Sequence, residues 1–267
     1  MRKGLIFAGA IVVLFNMTTA TIGGYQEGIE ALERKDYGEA LREFKSAARS
    51  GDDKAGLALG LMYMAGQGVP KDDKEALRWF LSAAEKGNPQ AQRLVASAYE
   101  DGTGVPQSFT EAAKWFMKAA MQGDTAAQTQ LGVYYANGVG VPQDFVEAAK
   151  WSRKAAEQGV ALAQSNLGVL YAQGKGAPQD YREAANWFEK AADQGVAEAQ
   201  ANLGLSYVNG WGVGKNLVRG YCWLTLAADQ GNDLAEQLVS EIFNRMSSAQ
   251  VAKAQKLVTD GNCRGRY

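Results

Sequence analysis

Residues 124–159 read DTAAQTQLGVYYANGVGVPQDFVEAAKWSRKAAEQG, and the pattern inside that stretch decides the fold. Ala127, Leu131 and Tyr135 fall at i, i+4 and i+8, one face of an α-helix, and are expected to be buried. Gly132 beside Leu131 lets a partner helix approach closely. Asn137-Gly138-Val139-Gly140-Val141-Pro142 ends the helix, because Gly and Pro terminate it. Asp144 followed by Glu147 predicts a capping box at the start of a second helix. That helix is expected to bury Ala148, Trp151 and Ala155 at i, i+3 and i+7, and it stops at Gly159. Two helices of about 12 residues cannot bury their faces alone, and stacking on identical neighbours solves the problem.

The neighbours are in the sequence. Gly51, Gly87, Gly123, Gly159, Gly195 and Gly231 are 36 residues apart, each preceded by the same Ala-Ala pair three and four positions earlier. Tyr63, Tyr99, Tyr135, Tyr171 and Tyr207 keep that step, and so do Trp79, Trp115, Trp151, Trp187 and Trp223. The capping signature recurs as Asp72/Glu75, Ser108/Glu111 and Asp180/Glu183, and as Asp36/Glu39 in an incomplete leading unit. Residues 52–231 therefore read as five full repeats of about 36 residues. Residues 21–51 form an N-terminal capping helical pair, and 232–267 form C-terminal capping helices and a tail, with Ser247 to Gln250 offering a last capping box. The fold class is all-α, a solenoid of helix-turn-helix repeats.

Residues 1–20 are a separate object. Arg2 and Lys3 precede an apolar run from Gly4 to Phe15, and small residues end at Ala20. The run is shorter than the roughly 20 residues that span a bilayer. The segment matches a cleavable signal peptide and predicts a periplasmic or secreted protein, with membrane contact only through the signal if it stays uncleaved. The chain has 28 basic and 29 acidic residues, which speaks against nucleic-acid binding, since that needs a basic stripe to displace counterions.

The string Ala-x-x-x-Leu-Gly-x-x-Tyr, then Gly-x-Gly-Val-Pro-x-Asp, then Ala-x-x-Trp-Phe-x-x-Ala-Ala-x-x-Gly resembles the Sel-one-like repeat, a relative of the tetratricopeptide repeat. The resemblance implies a right-handed α-α superhelix, and an adaptor or scaffold that binds a protein or peptide partner through a concave groove. It leaves the partner open. Two units depart from the pattern. Val95-Ala96 replaces Leu-Gly, which predicts looser packing, and Gly214 with Asn216 replaces Pro and Asp, which predicts a wider turn.

There is no histidine. Its absence removes Ser-His-Asp and Cys-His catalysis and the usual zinc sets, so no cofactor or metal is expected. Glu75, Glu111, Glu147 and Glu183 are explained as helix caps, and the Gly-x-Gly turns follow helices, unlike a phosphate loop after a strand. The alternative is a cell-envelope enzyme or enzyme activator. Its β-lactamase-like version lacks Ser-x-x-Lys and Lys-Thr-Gly, and the paired cysteines of the repeats linked to that activity are missing too. A further alternative is a structural component of an envelope assembly.

With Leu131 and Tyr135 taken as buried, the opposite face of the first helix carries Thr129, Val133 and Ala136. Its equivalents are Ser165, Val169 and Ala172, then Ala201, Leu205 and Val208. Tetratricopeptide-like superhelices line their groove with this face. Gln130, Asn166 and Asn202 stand beside it at one equivalent position, where side-chain amides either clamp a peptide backbone or bond to neighbouring helices. The candidate contacts are Gln130, Val133, Asn166, Val169, Asn202, Leu205 and Trp211. Trp211 sits between Gly210 and Gly212, either as an exposed anchor or packed on the next turn. The repeated tryptophans read as core.

Cys222 and Cys263 are the two cysteines of the chain. An even count without metal-ligand spacing favours a disulfide over a zinc site in an exported chain, with two free thiols as the alternative. Cys222 holds a slot occupied elsewhere by Arg78, Lys114, Lys150 and Asn186, so it is expected to lie outside the deep core. A tail folded back across the last repeat would bring Cys263 to it.

Overall fold

The computed structural model describes residues 24–264. The segment read as an export signal lies outside the described residues. The described residues form fourteen helices and no strand. The first six are α1 (Tyr25–Glu33), α2 (Tyr37–Arg49), α3 (Asp53–Ala65), α4 (Asp73–Glu85), α5 (Pro89–Asp101) and α6 (Phe109–Met121). Next come α7 (Thr125–Asn137), α8 (Phe145–Glu157), α9 (Ala161–Gln173) and α10 (Tyr181–Asp193). The last four are α11 (Ala197–Asn209), α12 (Leu217–Ala228), α13 (Asp233–Asn244) and α14 (Ser248–Thr259). The chain divides into two compact units between Ala127 and Gln128, inside α7. In the first, α1 to α6 pack each on the next. In the second, α8 to α13 do the same, and α14 turns back onto α12. The chain is an all-α solenoid of paired helices.

Small residues set the closeness of each pair. A Cβ on Gly132 would lie 2.5 Å from Ser152 Oγ, so α7 and α8 touch where the sequence predicted. Val95 and Ala96 are nonetheless fully buried, so the methyl in the exceptional unit does not open α5 to solvent. The looser packing expected there is absent. Ala127 and Leu131 are buried as expected, but Tyr135 is half-buried and the neighbouring Tyr134 is the deep residue, 2% exposed. At the equivalent place Tyr171 is half-buried and its hydroxyl accepts a 2.6 Å bond from Arg153 Nη2, whereas Tyr207 is buried.

The tryptophans divide in a similar way. Trp151 and Trp223 are buried, whereas Trp79, Trp115 and Trp187 are half-buried, contrary to their reading as core. Lysines lie over the rings of two of the half-buried ones. Lys118 Nζ lies 3.6 Å from the Trp115 ring centre, and Lys190 Nζ 3.8 Å from that of Trp187.

The second helices begin where predicted, though by half of the predicted device. Asp144 Oδ1 accepts from the N–H groups of Val146 and Glu147, and Asp72 and Asp180 do the same at the starts of α4 and α10. The reciprocal bond of a capping box is not made, because the cap residue's own N–H already serves the turn: Asp144 N–H donates to the Tyr135 carbonyl at 2.9 Å. Glu75, Glu111 and Glu147 instead pair with Arg78, Lys114 and Lys150. At α14 both halves are present, with Ser247 N–H donating to Gln250 Oε1 and Gln250 N–H to Ser247 Oγ.

The turn before α12 is no wider than the others. Trp211 N–H donates to the Ser206 carbonyl and Asn216 N–H to the Tyr207 carbonyl at 2.7 Å, as Val139 and Asp144 do in their unit. Those backbone bonds fix the turn whether or not Pro and Asp are present. The second glycine of the turn has a further reason to be glycine. Gly212 has φ +70°, and a Cβ there would stand 1.9 Å from the Tyr181 carbonyl oxygen at the start of α10. The turns at Gly104, Gly176 and Gly212 thus each rest on the first residue of the preceding second helix, an inter-repeat contact made by backbone.

Candidate functional site

The candidate contacts lie on α7, α9 and α11, the first helices of the second unit. Gln130, Val133, Asn166, Val169, Asn202 and Leu205 are all half-buried. The face does not lie as open as expected: Thr129, Ser165, Ala201 and Val208 are buried. A helix in a two-layer stack is gripped by its own second helix and by the preceding one, which leaves only a narrow strip uncovered. Val133, Val169 and Leu205 remain on that strip, with Val169 leaning against the core beside Tyr171 and Ala172.

The amides separate into two groups, and sequence reading found only one. Asn166 and Asn202 make no side-chain hydrogen bond with another described residue, though the Asn202 backbone carbonyl accepts from Ser206 Oγ. A second set of amides, unnoticed in the sequence, is fully engaged. Gln158 Nε2 donates to Gln128 Oε1 at 2.9 Å, Gln194 to Gln164 at 2.9 Å and Gln230 to Gln200 at 2.8 Å. The receiving glutamines are buried, and Gln164 and Gln200 donate onward to the carbonyls of Ala156 and Ala192. These pairs staple one repeat to the next. Their signal was visible as two glutamine series at 36-residue spacing, each bracketing an Ala-Ala-x-x-Gly junction.

Trp211 is 45% exposed and stacks on Tyr181, ring centres 5.7 Å apart and planes 21° apart. Its support is the start of the preceding second helix rather than the next turn. Cys222 and Cys263 form a disulfide. Cys222 is fully buried, contrary to expectation. Its slot is solvent-facing on the other second helices, and here α14 and the tail lie over it.

The Sel1 repeat model matches residues 22–52, 55–88, 89–124, 125–160, 161–196 and 197–232. The chain belongs to the Sel1 repeat family. The leading helical pair is matched together with the five full Sel1 repeats. Among solved structures, a Sel1 repeat protein from Oxalobacter formigenes is 32% identical with a TM-score of 0.76, over 82% of this chain and 90% of that one. The protective antigen c5321 of uropathogenic Escherichia coli strains, which displays an SLR fold, is 31% identical with a TM-score of 0.75 over 89% of this chain. This chain spans about half of that antigen, 53% of its length. A comparison with curated proteins finds no match. No helix among the described residues is long and apolar enough to cross a membrane.

Proposed function

We propose that this Sel1 repeat protein is an exported, non-catalytic scaffold that holds an extended segment of a protein partner along the first helices of its second unit. The observation that carries the reading is the pair of unengaged carboxamides, Asn166 and Asn202, one repeat apart beside the apolar strip of Val169 and Leu205. An extended peptide presents an N–H and a C=O at each residue, and a carboxamide can satisfy both at once. Val133, Val169 and Leu205 would take alternate side chains of the same segment. The buried glutamines of the first helices are committed to the inter-repeat staples, whereas these two amides on the same helices are not. Gln130 extends the same row. Trp211 offers a rigid aromatic anchor at the turn edge. Export rests on the pattern of residues 1–20, and the absence of histidine supports binding over catalysis.

A displayed library of random decapeptides, panned against the purified chain, tests the reading. Selected peptides should lose affinity about 50-fold against the Asn166→Leu/Asn202→Leu variant, two backbone hydrogen-bond pairs at about 1 kcal/mol or slightly more each. The substitutions are near in size and lie on half-buried positions, so the helical circular dichroism should not change. Equal affinity for the variant would remove the site from this face.

A further inference from the structure

One helix departs from its equivalents on the side facing away from its own repeat partner. At three positions one turn apart, α10 carries Arg182, Asn186 and Lys190, all exposed. The same positions on α12 carry Val218, Cys222 and Leu226. An apolar stripe on a solvent face requires a cover, and the cover is the C-terminal segment: Leu257, Val258 and Cys263 pack with Val218, Cys222 and Leu226. The cover is thin. Of α14 itself only Ala254 and Leu257 are buried, and the helix rests on α12. Beyond it, Arg264 pairs with Glu189 at 3.3 Å and with Asp193, both on α10 and all three only partly buried.

We propose that α14 and the tail are a thiol-gated strap, held over the apolar stripe of α12 by the Cys222–Cys263 bond and released by reduction while the repeats stay folded. The argument rests on how differently the two parts are held. A 12-residue helix is not stable alone in water, and two buried side chains with surface ion pairs offset little of its ordering entropy. The disulfide removes most of that entropy by confining the open state. The repeats of the second unit, in contrast, stack through α8 to α12 with glutamine staples and backbone-closed turns that do not involve either cysteine. In the opening step a dithiol reductant transfers two electrons and two protons to the S–S bond. The bond breaks to two thiols, and the reductant leaves as its own disulfide. The bare stripe of Val218, Cys222 and Leu226 then faces solvent.

The test uses the full chain, oxidised and then treated with dithiothreitol in native buffer, with loss of the bond verified by intact mass. Amide exchange within 248–259 should accelerate by at least about tenfold while α9 to α11 keep their protection, and Cys222 should become open to iodoacetamide. Unchanged protection of α14 in a chain carrying two thiols would overturn the proposal. So would simultaneous loss of protection in α9 to α11, or a bond that resists the dithiol until denaturant is added. The variant Cys263→Ser leaves α12 untouched and should show the open pattern without any reductant. A closed strap in that variant would equally overturn it.

Discussion

Replacing Gly212 with alanine is expected to destabilise the second unit by about 4 kcal/mol, whereas the same change at Gly195 should cost about 1 kcal/mol. Both glycines have positive φ, +70° and +86°, so both variants bear the left-handed penalty of an L residue. The difference comes from the surroundings. Nothing lies within 4 Å of a Cβ at Gly195, while at Gly212 it would meet the Tyr181 carbonyl oxygen at 1.9 Å and its carbon at 2.2 Å. Those atoms are backbone at the start of α10 and cannot rotate aside. Relief requires the turn to lift from α10, which also separates the stacked rings of Trp211 and Tyr181. Thermal melting of the two variants checks the contrast, since about 3 kcal/mol between them corresponds to roughly 10 °C in a chain of this size. Equal melting temperatures would mean that the turn does not rest on the preceding repeat.

Deleting Val160 to Gly195, one repeat in register, should leave a folded helical chain that is less stable by about 2–5 kcal/mol, the share of 36 residues at typical values. The new junction joins Gly159 to Val196 in place of Val160, and the two valines have nearly the same backbone geometry, φ −68° and −71°. Helix α8 then meets α11 instead of α9. The buried residues it meets change little: Ala199, Gln200, Leu203 and Gly204 replace Ala163, Gln164, Leu167 and Gly168, with Ser206 for Leu170 as the main loss. One local defect is expected. Arg264 loses Glu189 and Asp193 and meets Arg153 and Glu157 at the equivalent places, so the tail should loosen where the repeats do not. Circular dichroism and urea unfolding give the answer. A broad transition without a cooperative midpoint would contradict nearest-neighbour stacking.

The repeat architecture was legible because it is written in small residues and caps that admit few alternatives. Gly132, Asp144 and the Ala-Ala pairs each do one geometric task, and the structure finds them doing it. What escaped the sequence were competitions for the same group. Glu147 scans as the second half of a capping box, but the cap N–H is spent on the Tyr135 carbonyl, a bond that periodicity does not reveal. Cys222 occupies a slot that is polar elsewhere, and only the return of α14 onto α12 explains its burial. Within the candidate site, Asn166 and Asn202 were singled out by their spacing. The glutamine staples carry the same signal, so spacing alone could not separate amides engaged in the fold from amides left open. The open face was drawn too wide at Thr129, Ser165, Ala201 and Val208, because a helix wheel knows one buried face and these helices are gripped from two sides.

The central claim is that a peptide lies along the first helices of the second unit, and photo-crosslinking tests it most directly. A benzophenone amino acid is placed singly at positions 169 and 205 on the first helices, and at 154 and 190 on the second helices, where lysines cover Trp151 and Trp187. Each variant is irradiated with a peptide selected from the decapeptide library. Crosslinks should form from positions 169 and 205 and not from 154 or 190. Capture from 154 or 190, with none from 169 or 205, would place the peptide on the opposite layer and contradict the account.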